Sequence, residues 1–338
     1  MICALCNTNE ANKKNTHYLT DSIIRTCLNE DGSNVREKGF YFKMSSKTPY
    51  VNFNFQRGTS IQNLEETLGR LPTEDEIEKA KKIPYSVDFV FCNECEDIFT
   101  KIETPFIERI LPTLREEDHE ETNELELEDV KVIKMFFYLQ IWRTSISVDS
   151  FKVNTDSLEN LRISILNYEQ LNIEDIPNFP IHLTYLNVVG EQINYTSNII
   201  CTINEQNSNI IIMNDFVLQF FENAESVNKI DFHGLYDYDN YLELVNKDNS
   251  IFKFKIFNNE ERVAFILKLQ RIEKVQKSIS ALQQMFVELW VSIFSNVPAP
   301  PIVDLYVAYL IVDNNDLLLL TEEAVTHKTT EFIAEFLR

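Results

Sequence analysis

Apolar and polar residues alternate between Gly39 and Phe55, first as GFYFKM and then as YVNFNF. A period of two predicts a β-hairpin there. The pattern then changes. In Pro72-Thr73-Glu74-Asp75-Glu76, Thr73 and Glu76 form a capping box that opens a helix. Asp88 to Phe91 (DFVF) reads as a short strand, and Glu94 to Leu111 as a helix that Pro105 kinks or divides. VKVIKMFFYLQIWRTSI, from Val130, is apolar on most faces, as a buried helix is. The segments Pro180–Val189, Asn198–Ile203, Asn209–Met213 and Ser250–Phe257 carry the branched and aromatic bias of strands, with Asn204–Ser208 turning one strand into the next. Glu260–Ser295 is a long helical pattern that stops at Pro298, Pro300 and Pro301, after which Ile302–Val312 reads as a strand and Glu322–Leu337 as a helix.

Thr113 to Asp129 (TLREEDHEETNELELED) is almost wholly charged or polar, which predicts a linker. The chain of 338 residues then divides into a unit at 1–112, an acidic linker at 113–129 and a larger mixed unit at 130–338. The expected class is α+β.

Net charge is −22, and it is uneven. Residues 1–60 hold eight basic against five acidic side chains, 61–130 seven against twenty-one, and 131–338 sixteen against twenty-seven. A nucleic-acid partner needs local positive charge, which the first sixty residues alone offer. Elsewhere the acids read as a solvated surface. The apolar stretch Met135–Val148 is interrupted by Arg143 and too short to span a bilayer. MICALCNTNE lacks the basic start and apolar core of a signal peptide. A cytoplasmic setting is expected, and in a reducing compartment paired cysteines imply metal or redox chemistry rather than disulfides.

Four of the six cysteines form two Cys-x-x-Cys pairs, Cys3/Cys6 and Cys92/Cys95. Such a turn presents two thiolates to one ion, and two turns complete a tetrahedral site for structural Zn2+. The long separation is no obstacle, since loop-closure cost grows slowly with length. The competing reading is a redox dithiol. Cys27 and Cys201 stand alone in apolar surroundings and read as core thiols.

His17 follows Cys6 by eleven residues, in KKNTHYLTDSIIR. Glu96, Thr100 and Glu103 fall at i, i+4 and i+7, on one face of the helix that Cys95 opens. Zinc would hold that helix against the segment of His17, and an imidazole facing two carboxylates suits a general base and a divalent metal. The plainer alternatives are a structural histidine and an acid that favours the helix N-terminus.

CALC, THYLTDSIIR and FCNECEDIFTKIETPF together resemble a widespread bacterial family related to HNH endonucleases. IWRTSIS (Ile141–Ser147) and ENLRISIL (Glu159–Leu166) are also similar to it, so the resemblance covers about residues 1–166. It implies a treble-clef (ββα-metal) fold for 1–112, His17 as the base that activates water, and Glu96 and Glu103 as ligands of a catalytic Mg2+ or Mn2+ that stabilises the phosphate transition state. The implied activity is phosphodiester hydrolysis on DNA, in a family associated with defence against phage. The chain departs from the pattern in three places. Thr16 precedes the histidine where an acid is usual, Thr20 and Asp21 stand near the place of a proline, and the helix carries Glu in place of Asn and His.

Residues 130–338 contain no catalytic motif. The six glycines, at 32, 39, 58, 69, 190 and 234, make no P-loop, dinucleotide fingerprint or nucleophile elbow. Trp142-Arg143 reads as helix packing, with Arg143 paired to an acid. His182 and His233 read as structural, His119 and His327 as exposed. The alternative to a nuclease is therefore a non-catalytic, zinc-stabilised interaction protein with an acidic surface for a protein partner.

Overall fold

The computed structural model describes residues 1–25, 40–44, 51–55, 60–81, 83–116, 119, 121–187, 199–205, 208–229, 235, 239–270, 273–311 and 320–337. Cys27 and His233 lie outside them. In chain order the elements are β1 (Thr16–His17), α1 (Asp21–Ile24), β2 (Phe40–Met44), β3 (Val51–Phe55), α2 (Ile61–Leu68), α3 (Glu74–Ala80), β4 (Ser86–Val87) and α4 (Asn93–Pro105). After a π-turn at Phe106–Ile110 come α5 (Leu111–Glu116), β5 (Glu124–Leu127), α6 (Val130–Ser147), α7 (Thr155–Leu166), β6 (Ile181–Leu186), β7 (Ile200–Glu205), β8 (Ser208–Met213), β9 (Phe216–Phe220) and β10 (Phe252–Phe257). The chain ends in α8 (Asn259–Gln270), α9 (Glu273–Phe294), α10 (Pro300–Ile311) and α11 (Glu322–Phe336). The protein is mixed α+β.

The described residues form two units. The first takes those within 1–38 and 81–266, the second those within 39–80 and 267–338. This partition differs from a break at 113–129. The acidic stretch contributes β5, the edge strand of a six-stranded sheet ordered β5-β10-β6-β9-β8-β7. Glu124-Leu125-Glu126-Leu127 alternates between exposed and half-buried positions, and Glu126 pairs with Lys253 on β10 at 3.5 Å. Overall polarity masked a four-residue period of two, and charge on an edge strand also blocks pairing with other chains. His119, expected to be exposed, is buried. Its Nε2 lies 3.1 Å from the Thr113 carbonyl, and its ring meets Tyr185 edge-on.

All pairings in this sheet are antiparallel except β6 with β10. Every residue of β6 and β9 is buried, because both faces of the sheet are covered. On one face α6 packs through aromatic rings. Phe106 stacks on Phe136 at 3.8 Å and meets Phe137 and Phe216 edge-on. On the other face Tyr241 stacks on His182 at 4.6 Å. Burial of His182 and the nearby Lys255 ammonium push its pKa down to about 3, so this histidine is neutral and structural. Helix α6 is buried from Val130 to Ser145 except at Lys131, as its all-round apolar pattern requires. Pro105 has no amide to donate, and the helix passes it by widening into the π-turn that seats Phe106.

In the second unit β2 and β3 form the expected hairpin, with Phe40 opposite Phe55 and Met44 opposite Val51. The capping box also forms: Glu76 accepts from the Thr73 amide at 2.7 Å, and Thr73 accepts from the Glu76 amide at 3.3 Å. Helices α9, α10 and α11 share an aromatic core in which Phe286 stacks on Tyr306 at 4.1 Å and Phe332 meets both rings. Ile302–Val312 was expected as a strand, yet its described part belongs to α10. Pro300 occupies the first helical position, where a missing amide costs nothing, and the Ala299 carbonyl receives the Ile302 amide at 2.9 Å. Periodicity does not separate a short apolar run in a helix from one in a strand.

Lys134 is fully buried on α6 and donates to Asn249 Oδ1 at 2.7 Å. Burial lowers its pKa from 10.5 to about 8. A base depressed on folding costs stability in full below its folded pKa, and that cost fades as pH rises toward its unfolded value. Stability to urea should therefore rise between pH 8 and 10.5 by about 1–3 kcal/mol more in the native chain than in Lys134→Met. Equal slopes would contradict this account.

Candidate metal centre

The chain starts with a tight turn. The Asn7 amide bonds the Cys3 carbonyl at 3.0 Å, the Cys3 amide bonds the Asn9 carbonyl at 2.8 Å, and Asn7 takes a left-handed φ of 55°. From there the backbone runs against 85–91. Lys13 N donates to Phe91 O at 3.0 Å, Phe89 N to Lys13 O at 2.7 Å and Tyr18 N to Tyr85 O at 2.8 Å, around the ladder of β1 with β4. Of the strand expected at 88–91, these bonds remain without regular strand geometry, since Phe89 has φ 58°. Cys92 then stands at the residue before α4 and Cys95 lies in its first turn.

The four sulfurs of Cys3, Cys6, Cys92 and Cys95 lie within 4.8 Å of one another. Cys6 and Cys92 are 4.0 Å apart. A disulfide needs about 2.05 Å, whereas a tetrahedron with Zn–S of about 2.3 Å places its sulfurs about 3.8 Å apart. The spacing, the all-thiol donor set and the free state of all four cysteines fit a metal ion such as zinc. Amides point at the sulfurs: Cys92 N at Cys3 Sγ (3.3 Å), Asn9 N at Cys6 Sγ (3.4 Å) and Asn9 Nδ2 at Cys92 Sγ (3.7 Å). Burial opposes a charged Cys6, but bonds from Thr8 and from the Asn9 and Thr8 amides outweigh it and bring its pKa to about 6. Burial pushes Cys92 and Cys95 up. A bound dication reverses that balance, because it holds each thiol as thiolate.

The helix acids face the N-terminal segment, as the sequence implies, and one oxygen of each is already hydrogen-bonded. Glu96 accepts the Thr16 hydroxyl at 2.9 Å. Glu103 accepts the Thr20 hydroxyl at 2.5 Å and pairs with Arg143. Thr20 Oγ1 in turn receives Gln140 Nε2 at 2.8 Å and Arg143 Nη2 at 3.2 Å, while the Thr20 amide donates to Gln140 Oε1 at 3.1 Å. One hydroxyl thus uses its donor and both acceptors. Arg143 does pair with an acid, and it also lies 5.3 Å over the Phe99 ring. His17 reaches Asp21, with Nε2 3.6 Å from Oδ1 and Asp21 also holding Arg25. Successive strand residues point to opposite faces, so Thr16 meets Glu96 while His17 projects from the other side. Among the described residues, the four cysteines are the one group of three or more side chains with ligand spacing. His17, Glu96 and Glu103 do not join in such a group.

Sequence reasoning missed Thr16 and Thr20 as partners of these acids. Their signal was local, because they flank His17 four positions apart opposite two acids seven apart. Cys201 is half-buried rather than a core thiol. Compared with family models, curated proteins and solved structures, the chain matches none. Among the described residues, no helix is long and apolar enough to cross a membrane.

Purified protein should carry about one zinc per chain. Cys95→Ser should lose it and melt at lower temperature, and acidification should release metal from the native chain as protons compete for the thiolates; metal analysis with thermal melts measures all three. Arg143→Met, which strands Glu103, should cost about 3–5 kcal/mol in urea unfolding, and adding Glu103→Gln should return part of that loss.

Proposed function

We propose that this chain is a zinc-stapled, non-hydrolytic interaction protein. The metal holds a treble-clef-like arrangement, in which the Cys3–Cys6 turn, the β1–β4 ladder and α4 follow one another. The acidic remainder serves as the surface for a basic protein partner. The observation that carries this reading is the engagement of Glu96 by Thr16 and of Glu103 by Thr20 and Arg143. A hydrolytic ion needs carboxylates that are open to it and a base on the same side. Charge adds support, because the basic excess is confined to residues 1–60 while the whole chain stands at −22. A four-thiol centre also suits a reducing compartment such as the cytoplasm.

The HNH resemblance supports a second reading, a DNA endonuclease using Mg2+ or Mn2+. What favours it is the contact of His17, on β1, with Asp21 at the start of α1. An acid that orients the histidine is common in general-base sites. Glu96 would have to release Thr16 to reach an ion.

Plasmid DNA incubated with Mg2+ or Mn2+ separates the two. Neither the native chain nor His17→Ala should cut it. Metal-dependent cutting by the native chain that His17→Ala abolishes would sink the first reading and establish the second.

A further inference from the structure

We propose that Arg162, on α7, is a positioning residue of the four-thiol centre and holds the Cys6 corner of the first turn in place. This rests on reading the four thiols as a metal centre. Arg162 Nη1 donates to the Leu5 carbonyl at 2.5 Å, across 157 positions of sequence and directly beside Cys6. Its remaining nitrogens are forked by Glu159, with Nε to Oε2 and Nη2 to Oε1 both at 2.7 Å, so the guanidinium is aimed rather than free to swing. The side chain is 17 % exposed.

The location matters because the four ligands are not equally protected. Cys3, Cys92 and Cys95 are buried at 0, 1 and 2 % exposure, while Cys6 is half-buried. Cys6 is therefore the ligand that a chelator or proton reaches first. The Glu159 carboxylate balances the guanidinium charge, so the contribution of Arg162 is its hold on the Leu5 carbonyl beside that ligand. Partners outside the coordination sphere commonly change metal affinity by about 10–100-fold. Arg162 thus positions a ligand without touching the ion.

The test uses the full chain loaded with one equivalent of zinc and challenged with a chelator that changes colour on binding the ion. Arg162→Ala should release zinc about 10–100-fold faster than the native chain. Arg162→Lys, which keeps a cation able to donate to Leu5, should recover most of the difference. With cobalt in place of zinc, the thiolate-to-metal charge-transfer band should shift in Arg162→Ala and much less in Arg162→Lys. An α7 that merely packs less well would lower the melting temperature without moving either the band or the release rate, and that result would overturn the proposal. So would release from Arg162→Ala at the native rate. Should Arg162→Ala fail to fold, Glu159→Gln loosens the fork alone and should accelerate release by a smaller factor; an unchanged rate there counts against the proposal. A native chain that takes up no metal refutes the centre itself, whereas normal uptake with insensitive variants refutes only the role of Arg162.

Discussion

Four thiols bring residues 3–6 and 92–95 into one small volume, and the contacts of Thr16 and Thr20 with α4 lie beside that meeting. The segments around it have little regular structure of their own. β1 and β4 are two residues each, too short to be stable as an isolated ladder. A metal ion held by the four thiols would replace the missing hydrophobic and hydrogen-bond energy with coordination, and metal binding would then be folding. Once the turn before Cys6 is fixed against the start of α4, Thr16 and Thr20 lie opposite Glu96 and Glu103.

That juxtaposition joins the metal centre to the rest of the first unit. Thr20, Glu103, Gln140 and Arg143 form one hydrogen-bonded group in which α6 supplies the amide and the guanidinium. Phe91, Phe99 and Trp142 pack beside it, with ring centres 5.1–6.3 Å apart. Farther along α6, Phe136 and Phe137 reach the sheet through Phe106. Arg115 adds a parallel link, from the Ser22 and Ile23 carbonyls to Asp215 at the β8–β9 turn. Buried charges persist in such a place only where each has a partner. Glu103 is therefore explained by packing chemistry before any catalytic role is invoked.

The second unit relies on different physics. Its cores are clusters of aliphatic and aromatic side chains on α9–α11 and on α2 and α3. Its helices are set by capping and by proline: Ser60, Thr73 and Thr321 accept amides of the first turn, and Pro300 starts α10.

The sequence by itself determined what depends on local spacing. The two Cys-x-x-Cys turns, the hairpin at 40–55, the capping box at Thr73, the buried α6 and the interruption at Pro105 follow from periods, caps and backbone chemistry within a few residues. Tertiary structure decided which side chains face each other across tens of residues. Thr16 and Thr20 claim the two acids that spacing alone offered to an ion, β5 comes from a stretch whose composition resembles a linker, and Arg162 reaches Leu5 from α7. A carboxylate looks the same in sequence whether it binds a metal or a hydroxyl. Only the fold brings those hydroxyls within 3 Å of the acids.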